Sequence, residues 1–332
     1  MAGARRSGSL NIAFLGCGAA TRMHARTLSR VAPDVGVHFA SRDAARADAF
    51  RRAHGSGRAF GAYGDALADD GMDAAFVATP PSSHRELVLA ALAAGRHVIV
   101  EKPAFPRSAD FAVVREAAVR AGRRVLVAEN YFYKPLRRRL AEVLADGRLG
   151  RPLFLRVNAA KRQRAAGWRA EPALAGGGAL MEGGIHWVHL MASLGLEVRS
   201  VTGFRAGPGR GGDESALVVF AYEGGAVGTL AYSWSVPSPL RGLRLSQVMG
   251  TEGTATFESN GLFLFERGRR LAFRLPGLRD ISGYRAMFAD FVAVLRRGGE
   301  PGMTFDMAER DVRLVEQATR SMDEPGGGSQ AR

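Results

Sequence analysis

Lysine is what this chain has least of for its charge: three residues against 43 arginines among 46 basic side chains. Where a solvated positive charge suffices the chain carries arginine, so a lysine marks a place where an ammonium that burial can discharge is wanted. Cysteine is almost absent as well. The single Cys17 excludes a disulfide within the chain and leads to the expectation of a reducing, cytoplasmic setting. No apolar run approaches the ~18 residues of a membrane span, so an integral membrane protein is not expected. No internal repeat or coiled-coil heptad is present. Arg5-Arg6 lacks a separate apolar signal core behind it, and the first eight residues read as a frayed start.

The formal charge of +14 would suit a nucleic-acid footprint. The arginines are scattered, however, with only short clusters such as Arg137-Arg138-Arg139. No zinc-finger or recognition-helix pattern accompanies them, so a specific nucleic-acid partner is not expected. The positive potential reads instead as steering for anionic ligands. With 332 residues, 46% of them hydrophobic, the chain has material for two cores.

Up to residue 130 the pattern alternates strand and helix: strands over 10–16, 35–41, 59–61, 73–79, 96–101 and 123–128, with helices between. This is the order of a doubly wound parallel sheet. The first strand, Leu10-Asn11-Ile12-Ala13-Phe14-Leu15, runs into Gly16-Cys17-Gly18-Ala19-Ala20-Thr21. Two glycines let the backbone turn sharply and approach a pyrophosphate seated at the next helix N-terminus. Thr21 stands where the fingerprint has its third glycine. Gly16, Gly18, Ala19 and Ala20 are therefore candidate dinucleotide contacts. At the end of the second strand an acid would accept from the ribose hydroxyls, but here stand Ser41-Arg42, a hydroxyl and a guanidinium suited to a 2′-phosphate. NADP is the expected cofactor, with NAD as the alternative, and Asp43 is expected to cap the following helix.

Thr79-Pro80-Pro81-Ser82-Ser83-His84 falls at the C-terminal edge of a central strand, where ligands of such sheets bind. Thr79, Pro80 and His84 are candidates to face the cofactor, the histidine with the alternative of closing the first helical turn. Glu101-Lys102-Pro103 leaves the apolar strand His97-Val98-Ile99-Val100 and adds Glu101 and Lys102 to the cofactor contacts. Lys102, one of the three lysines, is also a candidate for chemistry.

After Glu129 the pattern changes. A strand over 153–162, a glycine-rich helix start and a run of strands between 198 and 275 predict a large open, mostly antiparallel sheet, followed by helices near 283–297 and 306–321. The expected organisation is a Rossmann domain over 9–129, a substrate-binding and oligomerisation domain over 130–322, and a disordered tail over 323–332. Within Gly176 to His189, Glu182 and His186 stand i,i+4 on a helix with His189 one turn on. A carboxylate that orients an imidazole and raises its basicity suits proton transfer. The three side chains are also plausible metal ligands, but no further ligand-rich motif accompanies them and no metal is expected. Lys161, Arg162, Arg164, Trp168 and Arg169 precede this segment. Lys161, Trp168 and His189 are taken as candidate substrate contacts, the arginines suiting an acidic or phosphorylated substrate and the indole a sugar face.

As an ordered set, Gly16-Cys17-Gly18 with His24, Thr79-Pro80-Pro81 with His84, Glu101-Lys102-Pro103, and Gly177-Gly178 leading to Glu182 and His186 resemble the glucose–fructose oxidoreductase, inositol dehydrogenase and rhizopine catabolism family over nearly the whole chain. The resemblance implies an N-terminal Rossmann domain plus a C-terminal α+β domain, and hydride transfer between a nicotinamide and a carbinol or carbonyl of a sugar, cyclitol or related polyol. It implies a homodimer or homotetramer assembled through the second sheet. It also implies a catalytic trio of Lys102, Glu182 and His186, with Glu182 and His189 standing where the family usually has Asp. The alternatives are a non-catalytic NADP-binding sensor and a transient-redox, glycoside-cleaving enzyme with tightly held NAD.

Overall fold

The computed structural model describes residues 10–163, 167–207, 214–237, 242–269 and 271–323. Arg5-Arg6, Arg164 and the tail from 324 lie outside them. The chain divides into two units, the first running to Glu129 and taking up Tyr284–Ala308, the second holding Asn130–Gly283 and the chain from Glu309.

In the first unit β1 (Asn11–Leu15), α1 (Ala19–Val31), β2 (Gly36–Ala40), α2 (Ala44–His54), β3 (Ala59–Phe60), α3 (Tyr63–Ala68), β4 (Ala74–Val77), α4 (His84–Ala93), β5 (His97–Glu101), α5 (Ala109–Ala121) and β6 (Val125–Ala128) alternate. The strands form one sheet in the order β3-β2-β1-β4-β5-β6, every pair parallel. Its central strands β1, β4 and β5 are apolar and buried through their interior positions, as a sheet covered on both faces requires. The order reverses between β1 and β4, so the carboxyl ends of those strands open the crevice where such sheets bind ligands. Asp43 caps α2, its carboxylate accepting from the Arg46 N–H at 3.2 Å, and Gly55 and Gly122 end α2 and α5 in the left-handed conformation.

The second unit contains α6 (Pro135–Ala145), β7 (Pro152–Ala160), α7 (Pro172–Ala175), α8 (Ile185–Ala192), β8 (Val198–Arg205), β9 (Ser215–Tyr222), β10 (Val227–Ser233), β11 (Leu245–Gly250), β12 (Thr254–Glu258), β13 (Leu264–Arg267) and β14 (Leu271–Arg274). These strands make an eight-stranded sheet in the order β14-β13-β12-β11-β7-β10-β9-β8, antiparallel except for β10 against β7. Side chains alternate along β7 and β9, which marks a sheet with one covered face. That face is packed closely. A Cβ on Gly228 of β10 would lie 2.6 Å from Met191 of α8, and the Tyr222 hydroxyl donates to Met191 O at 3.1 Å. Phe154, Leu217, Val227 and Leu245 stay exposed on neighbouring strands.

Two helices close the chain, α9 (Tyr284–Arg297) and α10 (Phe305–Asp323). The sequence grouped α9 with the second domain, but its contacts belong to the first unit. Tyr284 and Phe288 present ring edges to His24 of α1, at 5.3 and 5.5 Å between centroids. Apolar periodicity identified the helix and left its partner undetermined.

Candidate active site

The turn after β1 is built for close approach. Gly16 has φ +106°, and a Cβ there would lie 2.8 Å from the Ala78 carbonyl, so only glycine fits against the end of β4. A Cβ on Gly18 would meet nothing within 4 Å. Gly18 precedes α1 without any side-chain cap, which leaves the first amides of the helix to an outside acceptor. Ala19 and Ala20 lie at that mouth, exposed and half-buried. Thr21, where the fingerprint has glycine, is fully buried and its hydroxyl donates to Gly16 O at 2.6 Å. The threonine therefore ties the loop shut from behind. These residues fit a dinucleotide pyrophosphate. Buried Ser41 accepts from the Asp43 N–H at 3.2 Å, leaving its hydroxyl hydrogen for another acceptor. Arg42 is exposed beside Tyr63. Arg46, which belongs to no motif, donates Nε to Cys17 O at 2.7 Å and braces the turn. Burial pushes the Cys17 thiol up to about 11, against the neighbouring Arg46 charge.

At the end of β4, half-buried Thr79 and Pro80 start a turn held by Ser83, whose hydroxyl donates to Thr79 Oγ1 at 2.7 Å. His84 lies behind this turn. It is wholly buried, with Nε2 2.9 Å from Thr79 O and Nδ1 3.0 and 3.1 Å from Pro103 O and Ala104 O. Both ring nitrogens face main-chain carbonyls, so the cofactor contact expected of His84 is corrected to a tie between the Thr79 turn and the segment after Lys102. Burial lowers its pKa, against the hydrogen bonds the ring makes to the main-chain carbonyls, which favour the protonated form.

Glu101 forms a second tie. Its Oε1 pairs with His24 Nε2 and its Oε2 accepts the Lys102 N–H at 2.9 Å. Burial works to raise the Glu101 carboxyl, but the neighbouring His24 and Lys102 hold it down at about 2. The carboxylate thus fixes the main chain that carries Lys102, which is half-buried.

In the second unit the predicted uniform helix is interrupted. Leu180–Gly184 form a π-helical turn and α8 starts only at Ile185, so Glu182 and His186 straddle a change of helix type. Packing accounts for the glycines there: a Cβ on Gly183 would lie 2.3 Å from the Tyr232 hydroxyl, and one on Gly184 2.6 Å from Leu180 Cδ1. Single π turns of this kind occur often at functional sites. The His186 ring is half-exposed and stacks on Tyr131, with centroids 4.5 Å apart and planes at 13°. Lys134, buried at 5% exposure, places Nζ 4.5 Å from the Tyr131 centroid. Glu182 is 8% exposed and its Oε1 accepts Arg169 Nε at 2.9 Å. Arg169 in turn lies over half-buried Trp168, 4.4 Å from the ring centroid. Lys161 is exposed just beyond β7, its main-chain N–H donating to Ser233 O at 2.8 Å. His189 departs from expectation. It is wholly buried, with Nδ1 2.6 Å from Asp311 Oδ2 of α10, so it is an interior residue that presents no surface to a substrate. Among the described residues no three His, Cys, Asp or Glu side chains are grouped to hold a metal ion, and no helix is long and apolar enough to cross a membrane.

Residues 10–129 match the model of the oxidoreductase family with an NAD-binding Rossmann fold, and residues 137–256 match the GFO/IDH/MocA C-terminal domain. The chain belongs to the Gfo/Idh/MocA family. It is 31% identical over 228 residues to a trans-1,2-dihydrobenzene-1,2-diol dehydrogenase of Oryctolagus cuniculus, covering 66% of each chain. It is 37% identical over 141 residues to a D-xylose 1-dehydrogenase (NADP(+)) of Haloferax volcanii, covering 42% of this chain and 43% of the relative. The match thus spans from under half to about two thirds of the length of these curated relatives. Among solved structures, GenD2 from gentamicin A biosynthesis, in complex with NAD, superposes with a TM-score of 0.82 at 27% identity, over 97% of this chain and 96% of that one.

In this Gfo/Idh/MocA chain several partners of the candidate residues carry no motif of their own. In the sequence Tyr131 and Lys134 mark only the change of pattern after Glu129, although the scarcity of lysine is a signal for Lys134. The pairing of Arg169 with Glu182 spans 13 positions and obeys no helical spacing, and Asp311 lies 122 residues from His189.

Proposed function

We propose that this protein is an NAD(P)-dependent oxidoreductase that transfers a hydride between a nicotinamide and a carbinol or carbonyl carbon of a sugar, cyclitol or related polyol. The observation that carries the reading is the turn at Gly16–Thr21, closed behind by Thr21 and open at Gly18 toward the uncapped start of α1. Gly16, Gly18, Ala19 and Ala20 would hold the pyrophosphate, with Thr79, Pro80, Glu101 and Lys102 nearer the nicotinamide. A bound nicotinamide supplies the hydride acceptor, the balance being R₂CHOH + NADP⁺ → R₂C=O + NADPH + H⁺. His186 accepts the hydroxyl proton as general base, or returns it in the reductive direction, its ring plane set by Tyr131. Lys102 is assigned to the charge that develops on the substrate oxygen. Glu182, whose Oε1 accepts from Arg169 Nε, is assigned to orient the histidine and to contact a second hydroxyl of the substrate.

NADP is the proposed cofactor, because Ser41 and Arg42 put a free hydroxyl hydrogen and an exposed guanidinium where an acid would favour NAD. The exposed apolar residues of the second sheet, Phe154 and Leu245 among them, support assembly of a homodimer or homotetramer through that face. The cofactor reading is tested by titrating the protein with NADPH and NADH and following nicotinamide fluorescence. The expected result is tighter NADPH binding that weakens about tenfold or more in Arg42→Ala, one charge-assisted contact being worth roughly 1.5–3 kcal/mol. If neither nucleotide binds and none is carried through purification, the oxidoreductase reading is overturned.

A further inference from the structure

Glu182 is nearly buried and has a methylene more than the aspartate the family usually carries there. Its Oε1 is met by Arg169, whose guanidinium is held at one edge by that carboxylate and on one face by the Trp168 ring. Arg169 as a residue is still 44% exposed at its side chain. One nitrogen, Nε, is committed to Glu182, and the terminal NH₂ groups keep donors in a fixed plane. A guanidinium held in this way has its fork pre-organised for a second planar or tetrahedral anion.

Two further basic residues lie on the chain that pairs with the end of β10. Lys161 and Gln163 donate their main-chain N–H groups to Ser233 O and Trp234 O along the end of β10. Trp234 Nε1 donates to the Tyr232 hydroxyl, and that hydroxyl is the atom a Cβ on Gly183, next to Glu182, would strike. Lys161 and Arg162, both exposed, lie on this stretch of chain, and Arg162 Nε donates to Ser235 O at 3.4 Å. Of these basic side chains, Arg169 is the one that meets the buried Glu182 carboxylate.

We propose that Arg169 is the specificity-determining residue of this site, holding Glu182 through Nε while its remaining donors bind a carboxylate or phosphate on the substrate, which is thus an anionic sugar or cyclitol. The inference deepens the hydride-transfer reading and rests on it for turnover, though not for binding.

The test pairs D-glucuronate and D-glucose 6-phosphate with D-glucose, and D-galacturonate with D-galactose, in NADP⁺-dependent turnover and in thermal protection of the protein carrying NADPH. For wild type at least one acidic member is expected to exceed its neutral partner about tenfold in kcat/KM. Which acid wins separates carboxylate from phosphate. Arg169→Gln removes that ratio mainly by raising KM for the acid, and Arg169→Lys restores part of it. A merely structural pairing with Glu182 would lower turnover of acid and neutral sugars alike. Equal loss on both, or a wild-type preference for neutral sugars, overturns the proposal. If acidic sugars raise the melting temperature in wild type and not in Arg169→Gln, yet none is turned over, the anion site stands and the hydride-transfer reading fails.

Discussion

His24→Leu should destabilise the first unit and loosen the segment that carries Lys102. His24 is wholly buried among Phe76, Tyr284 and Phe288, so a leucine of similar bulk keeps most of the apolar contact. What it removes is the hydrogen bond from Nε2 to Glu101. Glu101 is held at about 2 against burial, with His24 the first of the groups that lower it. The drop from an ordinary glutamate to about 2 favours the ionised form by about 3 kcal/mol, at ~1.4 kcal/mol per tenfold change in proton affinity. Breaking a buried pair by deleting one partner costs about 3–5 kcal/mol. The lower figure applies here, because the Lys102 N–H remains on Oε2. At roughly 2–4 °C per kcal/mol for a unit of this size, the first transition in calorimetry at pH 7 should fall by roughly 6–12 °C. The variant should also lose less stability than wild type on acidification. Glu101 has a lowered folded pKa, so its contribution is complete above the ordinary glutamate value and disappears as pH falls toward about 2. A variant that melts with wild type at pH 7, or that keeps the wild-type acid slope, would refute the assignment of His24 as the group that holds Glu101 ionised.

His38 gives a second pH test, in a different window. Its Nε2–H faces Asn11 Oδ1 at 3.2 Å and its Nδ1 accepts the Arg58 N–H at 3.1 Å, so the neutral ring is the one that fits. Burial, then the Arg58 charge, lowers its pKa to about 4. The unfolded chain binds this proton first, so stability is complete above the ordinary histidine value and is lost as pH falls toward about 4, by about 3 kcal/mol in all. Denaturant unfolding at pH 7 and pH 4.5 should show a smaller difference for His38→Gln than for wild type, and an unchanged difference would count against the neutral-ring geometry. The two turn glycines should separate folding from binding. Gly16→Ala, at φ +106° and against Ala78 O, should cost upward of about 1 kcal/mol of stability. Gly18→Ala, whose Cβ meets nothing, should melt like wild type yet bind NADPH at least tenfold more weakly by fluorescence. Equal nucleotide affinity in Gly18→Ala would place the pyrophosphate elsewhere.

What the sequence determined by itself is the part of the molecule written in short-range signals. The parallel strands of the first sheet follow from apolar runs separated by helical periods, the cap at Asp43 from its place before α2, and the turn at Gly16 from a strand that ends in glycine. The mostly antiparallel second sheet follows from alternation with polar turns. Tertiary structure decided the rest, because those features are pairings between positions that no local period connects. Thr21 reads as a lost glycine until its hydroxyl is seen closing the loop. The i,i+4 spacing of Glu182 and His186 assumes a regular helix, whereas Leu180–Gly184 form a π turn in which Tyr232 leaves no room for a side chain on Gly183. His84 and His189 carry the residue type of a site, yet burial against main-chain carbonyls in one case and Asp311 in the other makes them interior residues. The stack of Tyr131 on His186 and the pairing of Arg169 with Glu182 exist only once the second unit has folded. Imidazole and carboxylate acquire their roles from neighbours brought in by packing, and packing is what a one-dimensional pattern leaves open.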